Sequence, residues 1–361
     1  MTQAANLGAL GTNVSSSGIT QAAGGGTAGT AGVTGFKNRI INGGMVIAQR
    51  GTSAVTTDES FPVDRFQIQI VNANLSLVQS STAPTGFNYS TAITVTSTTS
   101  TNANDRSRFF QNIEGFNIAD LGWGTANAKT VTVSFWARST VAGTYSGSIT
   151  NSTGARSYIF TYTLTADTWT FVTATIPGCP DGTWGATNST GILVGPITLN
   201  CGSTYQGTSG SWIAGDARGT SGSTYLATSN SGAVFNVTGV QLEVGSTATS
   251  FDYRPYTTEL QLCQRYFEAG SVWREGTNAA NGNFCVFTSS FLVQKRANAT
   301  FTYGNVGGAN AGVASIQGPE ATYEWISPYD QTNVRTGFAF RFVTNNNTST
   351  LRQYFTASAE L

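Results

Sequence analysis

Apolar and polar residues alternate along most of the chain after residue 36. In the stretch KTVTVSFWARS one set of alternate positions is apolar, namely Val131, Val133, Phe135 and Ala137. The positions between them are Thr130, Thr132, Ser134, Trp136 and Arg138. Because successive residues of a strand point to opposite sheet faces, this pattern predicts an antiparallel strand with one buried face.

The same alternation recurs in several other stretches. They are DRFQIQI (64–70), SYIFTYTL (157–164), TWTFVTATI (168–176) and AVFNVTGVQLEV, which ends at Val244. In TWTFVTATI the rings of Trp169 and Phe171 fall on the face opposite Val172 and Ile176. Turn-rich segments such as TNAND and NSTGA separate these stretches. Many short strands with one apolar face each predict an all-β fold, a sandwich of two sheets.

Helix signals are few, and the clearest lies in YTTELQLCQRYFE. Pro255 precedes it, and Thr258 with Gln261 fits a capping box. Leu260, Cys263 and Phe267 would then form one apolar stripe, which predicts a short helix over residues 256–267. We expect ion pairs of Arg254, Glu259 and Arg265 to hold this junction. A single short turn is predicted in NIEGFNIADLG.

The chain divides into four predicted parts. Residues 1–36 form a low-complexity, Gly-rich arm, which is either a flexible linker or a segment that orders against a partner. Residues 37–255 form the sandwich, residues 256–267 the junction helix, and residues 268–361 a small C-terminal β-domain. Tyr354, Phe355 and Leu361 indicate that the end of the chain is tied into a sheet.

Composition narrows the classes of function. Charged residues make up 10% of the chain and the formal net charge is zero, so no basic cluster is present to bind nucleic acid. Apolar and aromatic residues make up 39% and 11%, enough for a buried core. The sequence contains no run of about 18 apolar residues, so no membrane-spanning helix is predicted. The first residues lack the features of a signal peptide, so we expect synthesis in a cytoplasm.

The inventory of reactive side chains argues against an enzyme. The chain has no histidine, which excludes Ser-His-Asp catalysis and imidazole metal sites. The four cysteines lack metal-type spacing and are expected to be buried thiols. GGGTAGTAG lacks the Lys-Ser/Thr of a phosphate loop. We therefore predict no catalytic residue, no metal and no cofactor. A carboxylate pair brought together from separate strands keeps a glycan hydrolase as a lesser alternative.

The segment Gly182 to Asn230 is the candidate binding region. Its aromatic residues stand among Gly, Ser, Thr and Asn, and they are Trp184, Tyr205, Trp212 and Tyr225. An aromatic face can pack on the C–H side of a sugar while short polar side chains reach its hydroxyls. We therefore predict these four residues as carbohydrate-binding residues. The alternative is that the rings anchor long loops to the sandwich or pack against a neighbouring subunit.

Several stretches resemble a family of bacteriophage virion fibre proteins. They are NRIINGGMVIAQRGTS, FPVDRFQ, FFQNIEG, VTVSFWARS and VTGVQLEVGSTATSFDYRPYTTELQLCQRYFE. FLVQKRANATFTYG and the terminal TASAEL are similar to the small β-domain that often follows in those proteins. The sequence departs from the family in having Phe66 where Trp is common and Asp252 where Glu is common. The resemblance implies a jelly-roll sandwich similar to carbohydrate-binding modules.

The resemblance also implies a function and partners. It points to a structural appendage of a phage particle, a tail or head fibre made in the host cytoplasm. The partners would be further copies in a homotrimer, other virion proteins contacted by the arm at residues 1–36, and a glycan of the host surface. The rival interpretation is a capsid-decorating or head-fibre protein with no specific ligand.

Overall fold

The computed structural model describes residues 14–15, 18–19, 37–275, 283–304, 315–316, 325–326, 336–344 and 350–361. Backbone contacts separate two compact units, Met1–Lys37 and Asn38–Leu361. In the first unit β1 (Val14–Ser15) pairs antiparallel with β2 (Gly18–Ile19). The remainder of the predicted arm over residues 1–36 lies outside the described residues.

Two antiparallel sheets form the sandwich. In chain order its strands are β3 (Phe66–Gln69), β4 (Asn74–Ser80), β5 (Ser90–Ser97), β6 (Arg106–Glu114), β7 (Val131–Ser139), β8 (Gly143–Asn151), β9 (Arg156–Leu164), β10 (Thr170–Ile176), β11 (Thr190–Cys201), β12 (Trp212–Ala214) and β13 (Val234–Val244). The five-stranded sheet has the order β10-β7-β13-β5-β4, and the six-stranded sheet has the order β12-β9-β8-β11-β6-β3. This architecture confirms the predicted all-β jelly-roll sandwich.

The core lies between the two sheets and is built from the apolar faces that alternation predicts. Val133, Phe135 and Ala137 of β7 are fully buried. They face strands such as β9, where the Tyr162 ring lies 5.2 Å from that of Phe135 in an edge-to-face contact. Burial of aromatic and β-branched side chains on both inner faces is the main favourable contribution to folding.

The connections contain short 3-10 turns. Where the sequence predicts a single turn in NIEGFNIADLG, the structure has two short 3-10 turns, η1 (Gly115–Asn117) and η2 (Ala119–Leu121). The long segment after β11 contains η3 (Ser203–Tyr205) and η4 (Leu226–Thr228). No helix among the described residues is long and apolar enough to cross a membrane.

The junction helix α1 (Tyr256–Gln264) begins where the sequence predicts and ends earlier. The predicted capping box does not form, because Pro255 occupies the N-cap position and Thr258 already lies inside the first turn. The predicted apolar stripe is also wrong at one end. Cys263 is fully buried and Leu260 is half-buried, but Phe267 belongs to the strand that follows the helix.

Ion pairs hold the junction as predicted. Arg254 Nη1 lies 3.1 Å from Glu259 Oε1. Arg265 pairs with Glu114 on β6, with 2.6 Å between Nη2 and Oε1, and the Tyr266 hydroxyl donates to the same carboxylate. Both acceptor carboxylates are nearly buried, so these contacts fix the geometry of the junction more than they add net stability.

The two longest stretches that carry the family resemblance pack against each other. Arg254 donates to the carbonyl oxygens of Asn38 and Ile40. The Glu259 carboxylate accepts a hydrogen bond from the backbone N–H of Asn42. Ile41, Ile47, Cys263 and Tyr266 form a small apolar cluster between the two stretches. These sequence motifs therefore build a structural junction in this chain.

After α1 the chain forms two further sheets. Their strands are β14 (Phe267–Glu275), β15 (Asn283–Ser290), β16 (Thr300–Gly304), β17 (Ser315–Ile316), β18 (Trp325–Ile326), β19 (Gly337–Thr344) and β20 (Thr350–Ser358). One sheet has the order β14-β20-β16, with β17 also on β20, and the other has the order β15-β19-β18. The predicted division of residues 38–361 at residue 255 stays a prediction.

The last residues of the chain are held as expected from their apolar character. Phe355 on β20 is buried, and Ala359 N–H donates to the Tyr266 carbonyl. The Glu360 carboxylate accepts hydrogen bonds from Arg50 and Arg65, and Asn112 donates to the Leu361 carbonyl. The terminal residues thus tie the last strand to β6 and to the segment that precedes β3.

Candidate functional site

An aromatic groove lies on the outer face of the five-stranded sheet. It encloses a cavity of about 410 Å³. The residues that line it are Thr85, Phe87, Ser134, Trp136, Phe171, Gly239, Ala248, Thr249, Ser250, Phe251 and Tyr253. None of these residues is charged, which distinguishes the groove from the ion-paired junction beside it.

Trp136 on β7 and Phe171 on β10 form the floor of the groove. They are direct cross-strand partners, and their ring centroids lie 5.3 Å apart. Their chain neighbours Phe135 and Val172 point into the core, so strand alternation sends the two rings outward. Phe171 is 44% exposed, so the floor of the groove presents an aromatic surface to solvent.

Phe87, Phe251 and Tyr253 form the wall of the groove. The centroid of Phe251 lies 5.1 Å from that of Phe87 and 4.9 Å from that of Tyr253, both in edge-to-face contacts. The Tyr253 hydroxyl donates to the Gly86 carbonyl, while the residue is 62% exposed. The wall is therefore preorganised and still open to solvent.

Two polar side chains of β13 hold the segment that carries the wall. The Glu243 carboxylate accepts from the backbone N–H of Thr249 at 2.8 Å, and Gln241 Oε1 accepts from that of Asp252 at 2.9 Å. Both side chains are buried on the outer face of the sheet. These bonds fold residues 245–253 back over the strand and set the width of the groove.

Gly239 allows the wall and the floor to meet. It lies at a bulge of β13 with φ of 65°, in the left-handed region that favours glycine. A Cβ atom at this position would lie 2.7 Å from the Phe87 ring and 3.2 Å from Trp136. Any larger residue would therefore push Phe87 away from the floor.

The groove continues towards α1. A smaller cavity of about 120 Å³ shares Phe87, Phe251 and Tyr253 with it and reaches Arg254 and Glu259 at its far end. Partial burial raises the pKa of Tyr253, so its phenol remains protonated at neutral pH. The aromatic faces, hydroxyl groups and lack of charge in the larger cavity suit a ligand with apolar C–H faces and hydroxyl edges.

Trp184 and Trp212, two of the predicted carbohydrate-binding residues, lie together outside the groove. Their centroids are 5.5 Å apart, and each ring contacts Trp123 edge-to-face. Both are partly buried and pack against the core. Their indole N–H groups donate to the carbonyls of Asp181 and Pro177, at 3.0 and 2.8 Å. These contacts anchor the loops before β11 and β12.

Tyr205 and Tyr225, the other two predicted residues, lie beside Cys201. The Tyr205 hydroxyl accepts from Arg106 at 2.8 Å. Tyr225 is 8% exposed and donates to the Thr220 carbonyl. Burial raises the pKa of Tyr225 far above its ordinary value. The four predicted residues thus occupy two places, and their contact with carbohydrate stays a prediction.

Sequence reasoning overlooked the groove, although a signal for it was present. Trp136 and Phe171 interrupt otherwise polar outward faces of two strands whose inner faces are apolar. An outward aromatic ring on a predicted strand indicates a surface contact. What the sequence did not reveal is that β10 pairs with β7, which places the two rings side by side.

No protein-family model and no curated protein matches this chain. Among solved structures it is similar to the enzymatically active domain of bacteriophage CBA120 tailspike protein 4, at 13% sequence identity and a TM-score of 0.32. The match covers 58% of this chain and 22% of that chain. It is also similar to a CBM4 carbohydrate-binding module, at 16% sequence identity and a TM-score of 0.30. The match covers 56% of this chain and 98% of that module. A third similar structure is a putative sugar-binding protein from Bacteroides thetaiotaomicron, at 13% sequence identity and a TM-score of 0.31. The match covers 58% of this chain and all of that protein. At this level the similarity carries no argument about ligands. The matched region spans about a fifth of the tailspike chain.

Proposed function

We propose that this protein binds neutral glycans without cleaving them, and that the aromatic groove is the contact surface. The observation that carries the proposal is the cavity of about 410 Å³ lined by five aromatic rings and by no charged residue. Rings of this kind stack on the C–H faces of a sugar, and the hydroxyls of the exposed residues Thr85 and Ser250 supply hydrogen bonds to its edges. A charged glycan would find no counter-charge on the lining.

The wider role in the proposal is that of a phage virion appendage. It rests on the resemblance of the stretches around Asn38–Ser53 and Val237–Glu268 to virion fibre proteins. In this role the arm at residues 1–36 attaches the protein to other virion proteins, and a homotrimer presents three grooves to the host surface. Three weak sites on one fibre would act together by avidity.

A hydrolase finds less support in the groove. Glycoside cleavage needs two carboxyl groups across the scissile bond, one as acid and one as base or nucleophile. The cavity lining contains no Asp or Glu. Glu259 reaches only the smaller neighbouring cavity, where it is held by Arg254 and by the Asn42 N–H.

A purely structural protein is the second candidate, and the exposed rings of the groove are the observation in its favour. Phe171 and Tyr253 would then be covered by another copy of the chain. Light scattering separates the two candidates. If the rings form a subunit interface, Phe171→Ala reduces the oligomer mass; if they bind glycan, the mass is unchanged.

The test of glycan binding is an array of neutral and acidic oligosaccharides probed with the full-length protein. We expect binding to neutral members and a loss of about 2- to 12-fold in affinity for Phe171→Ala, the equivalent of about 0.5–1.5 kcal/mol per stacked ring. Phe116→Ala is the matched control, because Phe116 is 62% exposed and lies outside the groove.

Three results would overturn the proposal. The first is a wild-type protein that binds no neutral glycan on the array. The second is an equal loss for Phe171→Ala and Phe116→Ala. The third is release of reducing ends from a bound glycan, which would show cleavage.

A further inference from the structure

Arg108 is a buried cation that forms no ion pair with any of the described residues. It lies on the outer face of β6, is 5% exposed, and its Nε has no hydrogen-bond partner. Its one hydrogen bond among the described residues is a long contact of 3.4 Å from Nη1 to Thr150 Oγ1. A guanidinium removed from water in this way is costly unless something compensates its charge.

The Arg108 guanidinium lies over the Phe110 ring, 4.6 Å from its centroid, but the charged groups around Arg108 do not neutralise it. Arg106 and Arg218 lie nearby and have the same sign. Asp216 is the nearby carboxylate, but it already accepts two hydrogen bonds from Arg218, at 2.8 and 2.5 Å. Burial, followed by the repulsion of Arg218, lowers the pKa of Arg108 to about 9. The region therefore has an excess of positive charge.

Two unpartnered hydroxyls face the same region. Ser146 and Ser148 on β8 are buried, and neither Oγ atom has a hydrogen-bond partner. Their neighbours Tyr145 and Ile149 point into the core, so both serines point to the outer face that Arg108 shares.

Strand register places the three residues on neighbouring parts of the same sheet face. Arg108 is paired with Thr198 on β11, and Ser148 is paired with Gly195 on the same strand. Because Gly195 has no side chain, the guanidinium can extend across β11 to reach Thr150 on β8. Ser148 and then Ser146 follow Thr150 on the same face of β8.

A short segment closes the region from solvent. The Arg218 carbonyl accepts from Thr198 Oγ1 at 2.6 Å, and the Ala217 N–H donates to Ser157 Oγ at 2.9 Å. A Cβ atom on Gly219 would lie 3.1 Å from Ser146 Oγ. Residues 217–219 therefore lie over this part of the sheet.

We propose that Arg108, Ser146 and Ser148 bind one small monovalent anion, with chloride as its simplest form. Guanidinium N–H and serine O–H groups are donors, and a compact anion accepts from several donors at once. The bound ion would neutralise Arg108 and lock the 215–219 segment onto the sheet. This site is separate from the aromatic groove, which lies on the other sheet.

The test is thermal unfolding of the full chain in sodium chloride and in sodium gluconate at equal ionic strength. Gluconate is a much larger organic anion and serves as the control for ionic strength. We expect a saturable rise in Tm of about 2–4 °C with chloride, as ligand binding to the native state requires. Ser148→Ala and Arg108→Met should each abolish the rise. Thr238→Val is the matched control, because Thr238 is an equally buried, unpartnered hydroxyl on the other sheet.

Bromide offers an independent readout. Crystals grown in sodium bromide should give an anomalous peak between Arg108 and Ser148. Equal Tm values in chloride and gluconate, together with no bromide peak, would show that water satisfies these groups and would overturn the proposal. A chloride effect that persists in Ser148→Ala and Arg108→Met would place the ion elsewhere and also overturn it.

Discussion

Arg254 and Arg296 show how single charged residues are used in this nearly uncharged chain. Arg254 donates to the carbonyls of Asn38 and Ile40, far from it in sequence. Arg296 donates to the carbonyls of Asn188, Ala359 and Glu360. Each guanidinium satisfies several buried backbone acceptors at once, which a chain rich in irregular connections needs.

Cys263 is the position of the junction helix where we expect a new charge to cost most. It is fully buried, and burial together with the nearby carboxylates of Asp64 and Glu259 raises the pKa of its thiol. Cys263→Asp should lower the free energy of unfolding by about 3–5 kcal/mol, because it buries another negative charge beside them. Leu260→Asp should cost about 1 kcal/mol, since Leu260 is half-buried. Urea unfolding of both variants checks this order, and equal losses would contradict it.

From the buried thiol of Cys201 we predict a loss of stability at alkaline pH. Burial raises the pKa of its thiol to about 11, against an ordinary value of 9.0. Between these values the unfolded thiol loses its proton while the folded thiol keeps it, so stability is full below pH 9 and falls towards pH 11. The thiol should contribute up to about 3 kcal/mol to this fall.

The measurement is urea unfolding from pH 8 to 11 in the presence of a reductant. The Cys201→Ala variant should show a shallower fall than wild type, because the remaining slope comes from other groups such as Tyr266, whose pKa burial raises to about 12. Identical slopes in the two proteins would rule out the contribution of Cys201.

At the scale of elements, alternation predicts the strands well and helix periodicity predicts too much. The buried faces of β7 and β9 match the predicted residues Val133, Phe135 and Phe160. The predicted helical stripe is wrong at Phe267, because the helix ends at Gln264. The next two residues, Arg265 and Tyr266, donate hydrogen bonds to the Glu114 carboxylate. The sequence does not reveal these contacts, since Glu114 lies on a strand 151 positions before Arg265.

The C-terminal residues should be essential for the stability of the described unit. The Glu360 carboxylate accepts from Arg65, which is 2% exposed, and from Arg50. Glu360→Gln would leave the buried Arg65 guanidinium without its counter-ion, at a cost of about 3–5 kcal/mol.

The matched control for Glu360→Gln is Asp167→Asn, which removes the partner of Arg138. That pair is exposed, with 59% of the Asp167 side chain accessible, so its loss should cost less than about 1 kcal/mol. Chemical denaturation measures both values. A Glu360→Gln variant as stable as Asp167→Asn would show that the tail is only loosely held.

At the scale of the whole molecule, the sandwich was predictable and the position of the groove was not. Period-two patterning determines which residues are buried, and it identified Trp136 and Phe171 as outward-facing. The groove also needs the pairing of β10 with β7, the bulge at Gly239 and the return of residues 245–253 over the sheet. These are long-range features that no local pattern encodes. Sequence reasoning therefore favoured the loop aromatics, which stand out by composition.

The arm at residues 1–36 should matter for attachment and not for folding. Its polar, Gly-rich sequence has little apolar surface to contribute to a core. Deletion of residues 1–36 should leave the Tm of the protein nearly unchanged and abolish its incorporation into particles. Calorimetry and particle assembly assays measure the two effects, and a truncated protein that incorporates normally would contradict an anchoring role.

The central claim is that glycan contact occurs in the groove and not at the loop tryptophans. The most direct test compares Trp136→Ala with Trp212→Ala in titrations with the neutral oligosaccharide that binds wild type most tightly. Trp136 forms the floor of the groove, while Trp212 packs against Trp123 and Tyr158 and donates to the Pro177 carbonyl. We predict a loss of about 2- to 12-fold in affinity for folded Trp136→Ala and unchanged affinity for folded Trp212→Ala. Unchanged affinity in Trp136→Ala with a loss in Trp212→Ala would contradict the account.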